Sequence, residues 1–306
     1  MSSARSCYRG SVFAWGTRTF IVGIVNCSPD SFVGDGHSIA RSAIEHGLRL
    51  VDAGADVLDV GGESTRPGAA PIFEDEELRR VIPVIEGLAT RVPAPVSVDT
   101  SKARVAAAAL DVGATIVNDV RALLGDQGMA AVVASRRAAV VLMDNRLAPR
   151  ARVPEAAGYA PRIPEADPGQ PGGSDIVGAV GDWLTRRVTA ATAAGIARER
   201  IIVDPGLGFG KTAAQSLLLL RRLGELRCLP ALRGLPLLVG PSRKGFIGQV
   251  LGLPVQERLE GTLAATALAV AGGADLVRVH DVRAAARCCR VADAVMRGFR
   301  AGPRGQ

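Results

Sequence analysis

The sequence predicts an α/β protein of the (β/α)₈ TIM-barrel class, and three observations carry that reading. Eight short runs of branched apolar residues recur along the 306-residue chain. Stretches with helical periodicity separate them, and a polar group stands at the exit of each. A run too short for a buried helix, and without polar alternation, reads as a strand covered on both faces. Strand and helix alternating eight times is the pattern of a closed barrel with helices outside. A doubly wound sheet is the alternative, but no G-x-G-x-x-G follows the first run, which argues against a dinucleotide fold.

In order, the runs are IVGIVN from Ile21, DVLDVG from Asp56, PVSVDT from Pro95, TIVNDV from Thr115, AVVLM from Ala139, IIVDPG from Ile201, LPLLVG from Leu235 and DLVRVH from Asp275. Ile44, Leu48 and Val51 fall at i, i+4 and i+7, with Ser38 as N-cap and Gly54 as the stop. Leu78, Ile82 and Ile85 repeat the period behind Glu74, Asp75, Glu76 and Glu77, acids placed where the helix dipole favours them. The phrases DAGAD at Asp52, DVGAT at Asp111 and AGGAD at Ala271 each read as a helix end, a glycine stop and a return to the sheet. The whole chain, 1–306, reads as one domain with an N-terminal extension over 1–17. Residues 147–174, rich in Pro, Gly, Ala and Arg, read as a long flexible loop after the fifth strand, and 302–306 as a frayed tail.

Hydrophobic residues make up 48% and charged residues 22%, an ordinary globular balance. The net charge is +7, but the arginines are scattered with no block of like charge, which points to a small anionic substrate and away from nucleic acid. The five cysteines show no CxxC or Cys/His metal spacing, and adjacent Cys288 and Cys289 fit a helix as small core residues. MSSARSCYRGSVFAWG lacks the apolar stretch of a secretory leader, and no run reaches the length of a membrane span. Reduced thiols and a cytoplasmic location are expected.

Barrel chemistry sits on the loops after the strands. Those exits carry Asn26; Glu63, Ser64, Thr65 and Arg66; Asp99; Asn118 and Asp119; Met143, Asp144, Asn145 and Arg146; Asp204; Ser242, Arg243 and Lys244; and Arg278, His280 and Asp281. An aspartate after a strand is more often a helix cap or turn former than a catalyst, and a lone histidine is usually structural. Polar groups at all the exits of one face are a site. Thr65, Arg66, Ser242, Arg278 and His280 supply donors and positive charge suited to phosphate. Asp99, Asn118 and Asp204 supply acceptors and an amide suited to a flat heterocycle with adjacent N–H groups. The substrate is therefore expected to carry a nitrogenous ring at one end and phosphate at the other. GLGFGKT from Gly206 is not a P-loop, because the first glycine of that motif would fall on Pro205. Its glycines read as a tight loop after Asp204.

Seven segments, NCSPDSF, DVGGESTRPGAA, SVDTSK, IVNDV, DPGLGFGK, LVGPSRKGFIG and VRVHDV, resemble in order and spacing the motifs of the dihydropteroate synthase family over roughly 21–298. The resemblance implies a pterin-binding barrel that joins 4-aminobenzoate to (7,8-dihydropterin-6-yl)methyl diphosphate with release of diphosphate, in folate synthesis. It places Asp99, Asn118, Met143, Asp204 and Lys244 on the pterin. Thr65, Arg66, Arg278 and His280 fall on the diphosphate. Phe32, Pro67 and Ser242 fall around the aminobenzoate, Asn26 on Mg²⁺, and Asp35 in the first mobile loop. Asp99, Asp204, Lys244 and Asp35 are its catalytic set. A homodimer and sulfonamide sensitivity follow from the same resemblance, the latter because no residues are added between Arg66 and Glu74. Glu63 is expected to be an internal partner for a backbone amide or cation. Three positions depart from the family. SFVGDG shifts the aspartate to Asp35, Cys27-Ser28 replaces Val-Thr, and Asp144 stands where relatives often have His, adding negative charge at strand five. A non-catalytic pterin-binding paralogue is the alternative. A methyltetrahydrofolate:corrinoid methyltransferase ranks lower, having no use for the SRK and RVHD segments.

Overall fold

A computed structural model of the chain describes residues 5–27, 36–63, 72–146 and 175–299. Strands β1 (Arg5–Tyr8) and β2 (Ser11–Ala14) pair antiparallel as a hairpin. Its two-residue turn, Arg9 and Gly10, has φ of +49° and +79°, the doubly left-handed turn that matches strand twist.

The eight barrel strands are β3 (Phe20–Asn26), β4 (Val57–Gly61), β5 (Val96–Asp99), β6 (Ile116–Asp119), β7 (Ala139–Met143), β8 (Ile201–Asp204), β9 (Leu238–Val239) and β10 (Leu276–Val279). They run parallel in the order β8-β7-β6-β5-β4-β3-β10-β9. A parallel bridge between Val203 and Leu237 joins the two ends, reinforced by Val203 N donating to Pro236 O at 3.0 Å. All eight runs read from the sequence are strands. The helices are α1 (Gly36–Asp52), α2 (Glu74–Ala89), α3 (Ala103–Asp111), α4 (Met129–Ser135), α5 (Ile176–Ala193), α6 (Ala213–Arg221), α7 (Leu223–Cys228), α8 (Gly245–Leu251), α9 (Leu259–Ala271) and α10 (Val282–Arg297). The expected glycine returns at Gly54, Gly113 and Gly273 have φ of +103°, +113° and +89°, the region that favours glycine. Because α1 already begins at Gly36, Ser38 lies inside its first turn instead of capping it. Among the described residues, no helix is long and apolar enough to cross a membrane.

Side-chain alternation divides each strand between two cores. Outward residues such as Val25, Leu58, Val98, Val140 and Val277 pack against the helices. Inward residues at the strand starts, among them Val22, Val57, Ile116, Ile202 and Leu276, fill the barrel with Tyr8, Phe13 and Trp15 of the hairpin. The rings of Phe13 and Phe20 lie 4.8 Å apart and those of Trp15 and Phe20 5.4 Å, spacings of favourable aromatic pairs. Trp15 Nε1 donates to Ser6 Oγ at 3.0 Å, and Ser6 Oγ in turn donates to Glu199 O at 3.0 Å. The N-terminal extension is thus a plug that seals one end of the barrel and leaves the polar strand exits at the other. The expected loop at 147–174 and tail at 302–306 lie outside the described residues.

Candidate active site

The inward positions change from apolar to polar along the strands. Register aligns Gly61 with Asp99 and Asp99 with Asn118, and sets Met143 beside Asp204. Asp99, Asn118, Met143 and Asp204 therefore all point inward at the barrel mouth, all buried; Asn118 aligns with Val141, one inward step before Met143 and Asp204. Arg278 reaches across to them from β10: its Nε donates to Asp59 Oδ2 at 2.6 Å and its Nη2 to Asp99 Oδ2 at 2.7 Å. Asn118 Nδ2 donates to the same Asp59 oxygen at 2.9 Å. Asp59 Oδ1 is buried with no hydrogen-bond partner among the described residues.

Across the mouth, Asp204 Oδ1 accepts from Gly206 N at 2.7 Å. Lys244 donates to Leu207 O, and its Nζ lies 4.0 Å from the centre of the Phe209 ring, a cation–π contact. Ser242 Oγ and His280 Nδ1 are 2.9 Å apart, and His280 N donates to Ser242 Oγ at 3.2 Å. Between Ser242 and Lys244, Arg243 has φ of +56° and turns away to hold Asp281 through two hydrogen bonds of 3.0 and 2.7 Å. That left-handed residue puts its two neighbours on the site. Asn26, half-buried, ends β3 opposite Gly61.

The sequence profile of the family described as "Pterin binding enzyme" matches residues 22–280. The dihydropteroate synthase of Synechocystis sp. is 42% identical over 289 residues, 94% of this chain and 93% of its own. The chain belongs to the dihydropteroate synthases. Solved structures of the family carry the same fold. Dihydropteroate synthase of Xanthomonas albilineans with 4-aminobenzoic acid matches with a TM-score of 0.81 at 42% identity, covering 96% of this chain and 98% of that one. The Yersinia pestis enzyme in a sulfonamide drug complex matches at 0.80 and 36%, covering 95% and 98%.

Dihydropteroate synthases are transferases, and burial moves several charged groups of the site from their ordinary pKa values. Burial, opposed by Arg278 and reinforced by Asp59, pushes the Asp99 carboxyl up to about 7. Burial also raises Asp204, against the attraction of Lys244, and lowers Lys244 to about 7 despite Asp204. For Arg278, burial opposes the charge, but Asp59 and Asp99 outweigh it and hold its pKa above the usual value. The raised Asp99 contributes stability that is full below its unfolded pKa near 4 and lost as pH rises through about 7. The lowered Lys244 contributes stability present above about 10.5 and lost as pH falls through about 7. The melting temperature of Asp99→Asn minus that of wild type is therefore expected to grow between pH 5 and 8. A flat difference across that range would contradict the assignment.

Of the residues expected at the site, Asp99, Asn118, Met143, Asp204, Lys244, Arg278, Ser242 and His280 come together at the mouth. Thr65, Arg66, Pro67, Phe32 and Asp35 lie outside the described residues. Asp119 faces out of the barrel, where Oδ1 and Oδ2 accept from Arg121 N and Leu123 N at 2.9 and 2.7 Å. Asp144 also faces outward and is fully buried against Arg146 and Lys211, so its charge is not added to the mouth. Glu63 is the internal partner expected, taking Lys102 Nζ at 2.6 Å. Sequence reading missed Asp59, which sits inside an apolar strand. Its only signal is the period of two that puts it on the face of Gly61, beside Asp99.

Proposed function

We propose that this chain condenses 4-aminobenzoate with (7,8-dihydropterin-6-yl)methyl diphosphate to give 7,8-dihydropteroate and diphosphate, within a single pterin-binding domain spanning 1–306. The observation that carries this reading is the set of buried Asp99, Asn118 and Asp204 with half-buried Lys244, crossed by Arg278. Asp99 and Asp204 would accept from the ring N–H groups, while Asn118 and Lys244 would offer hydrogen-bond donors. Met143, level with Asp204, would pack on the ring. As the C–O bond to diphosphate lengthens, positive charge spreads into the pterin, and the two buried carboxylates would oppose it. Two of Arg278's five N–H groups are engaged by Asp59 and Asp99. The others, with His280, Thr65 and Arg66, would take the departing diphosphate. The arylamine, held by Ser242, Phe32 and Pro67, then needs only positioning, an effect that supplies several kcal/mol. Asp35 would complete the catalytic set that the resemblance implies.

Magnesium keeps several waters and takes one or two protein oxygens alongside substrate phosphates. The carboxamide of Asn26 at the mouth fits that role. When bound, the ion supplies positive charge to the leaving group.

Asn26, Arg278 and His280 would thus serve the diphosphate end, and Asp99 and Asp204 the pterin end. Diphosphate release measured with Mg²⁺, with and without 4-aminobenzoate, tests the reading. Release that depends on aminobenzoate and is lost in Asp99→Ala is expected, with competitive inhibition by a sulfonamide. Absence of release with pterin still bound in calorimetry would mean a non-catalytic paralogue. We further propose a cytoplasmic homodimer formed through α9 and α10, two helices that pack together and carry Leu268, Val291 and Val295 at 58%, 68% and 77% exposed, apolar side chains of the kind that mark an interface. Light scattering on wild type and Val295→Glu checks it, with a dimer expected in the first and a monomer in the second.

A further inference from the structure

Behind the barrel mouth, between β7, β8 and α5, lies a buried charge cluster that the proposed reaction does not use. Arg146 holds Asp144 through Nε to Oδ1 at 2.9 Å and Nη2 to Oδ2 at 2.8 Å, and Nη2 also donates to Ala179 O of α5 at 3.1 Å. Lys211 donates to Asp144 Oδ1 at 2.8 Å, Asp144 O at 2.9 Å, Gly206 O at 3.0 Å and Phe209 O at 3.4 Å. The Lys211 and Asp144 side chains are both 0% exposed. A buried charge of this kind persists only when it is paired and hydrogen-bonded.

The groups that Lys211 gathers belong to one tight turn. Gly206 has φ of +65°, and a Cβ there would stand 2.0 Å from Asp144 O. Phe209 N closes the turn on Gly206 O at 3.1 Å, and Arg146 N donates to Phe209 O at 3.2 Å. The other side of the same turn faces the mouth. Gly206 N meets Asp204, Leu207 O accepts from Lys244, and the Phe209 ring lies under the Lys244 ammonium. The turn thus has the charge cluster on one side and the pterin-side groups on the other.

We infer that Asp144 and Lys211 are positioning residues for Lys244 and Asp204, fixing from outside the barrel the 206–209 turn on which both rest. The inference builds on the proposed role of Lys244 and Asp204 in holding the pterin. Asp144 is the carboxylate paired with both buried cations, so losing its charge leaves Arg146 and Lys211 facing each other and frees the turn. The aminobenzoate side, at Ser242, touches none of these groups among the described contacts. The defect should therefore fall on the pterin alone.

The test uses the full chain, with Lys211→Met as the milder variant, because it keeps the Asp144–Arg146 pair, and Asp144→Asn as the stronger. Calorimetry with a dihydropterin ligand and steady-state kinetics are run on each. In both variants the pterin Kd and KM are expected to rise at least tenfold, while the KM for 4-aminobenzoate stays within twofold. Asp144→Asn combined with Lys211→Met should recover melting temperature over Asp144→Asn alone without recovering pterin affinity. A pterin Kd within twofold of wild type in folded Lys211→Met would overturn the inference, as would an equal rise in both KM values. Failure of wild type itself to bind pterin or release diphosphate would instead remove the proposed function.

Discussion

Arg278→Met is expected to lower kcat/KM by roughly 10³-fold at neutral pH, the scale set by removing one partner of a buried charge pair at about 3–5 kcal/mol. The guanidinium reaches two carboxylates on different strands, Asp59 at 2.6 Å and Asp99 at 2.7 Å. Without it Asp99, already pushed up to about 7 by burial, loses the attraction that opposes the rise. The carboxyl then holds its proton at neutral pH and presents a donor where the pterin also has one. Arg278→Lys should rescue little, because a single ammonium does not span two carboxylates from separate nitrogens as the planar fork does. Adding Asp59→Leu to Arg278→Met should restore melting temperature and not turnover. Initial rates and thermal melts of the three variants check this, and a loss smaller than tenfold in Arg278→Met would contradict it.

Lys102→Met is expected to cost about 3 kcal/mol of stability, about 5 °C in melting temperature for a chain of this size. Lys102 follows β5 and joins Glu63, at the exit of β4, to Glu77 of α2. The Glu77 side chain is 1% exposed, so removing the ammonium strands a carboxylate inside the fold. Burial works against the Lys102 charge, but the two glutamates outweigh it and raise its pKa. Arg104→Ala is the control. Arg104 and Asp75 make a 2.5 Å pair with side chains 60% and 74% exposed, and such pairs contribute between about 0 and 1 kcal/mol. Differential scanning calorimetry should separate the two, with Lys102→Met combined with Glu77→Leu recovering part of the loss. Equal effects of Lys102→Met and Arg104→Ala would refute the assignment. The same tie holds Glu63, which directly precedes Ser64, Thr65 and Arg66 in the sequence, so Lys102→Met should also weaken catalysis beyond its effect on folding.

The barrel was legible because burial on both faces leaves runs such as IIVD and VLDVG nearly free of polar alternation. Its glycine returns were legible because Gly54, Gly113 and Gly273 occupy a region that other residues rarely adopt. The site was legible through its exits: Asp99 and Asp204 end their strands and Asn118 stands one residue before the end of its own, all on the inward face. Direction was not legible. Asp119 and Asp144 also end or follow strands, but one step of the period of two turns them outward. Asp59 was hidden for the opposite reason, as a charge inside an apolar run, made tolerable only by Arg278 and Asn118 from strands far away in sequence. The pairings of Lys102 with Glu77 and of Lys211 with Asp144 span 25 and 67 residues, separations across which no local pattern speaks. The hairpin plug was missed because two four-residue strands around Arg9-Gly10 leave too short a signal.

The most direct test of the central claim, that the acidic groups of the barrel mouth hold the pterin, is a crystal structure of this chain with 7,8-dihydropteroate bound. The account predicts the ring's N–H groups within hydrogen-bond distance of the Asp99 and Asp204 carboxylates, Asn118 and Lys244 donating to it, and Met143 against its face. A ring bound elsewhere, with the Asp99–Arg278–Asp59 contacts unchanged and no ligand atom at Asp204 or Lys244, would contradict it.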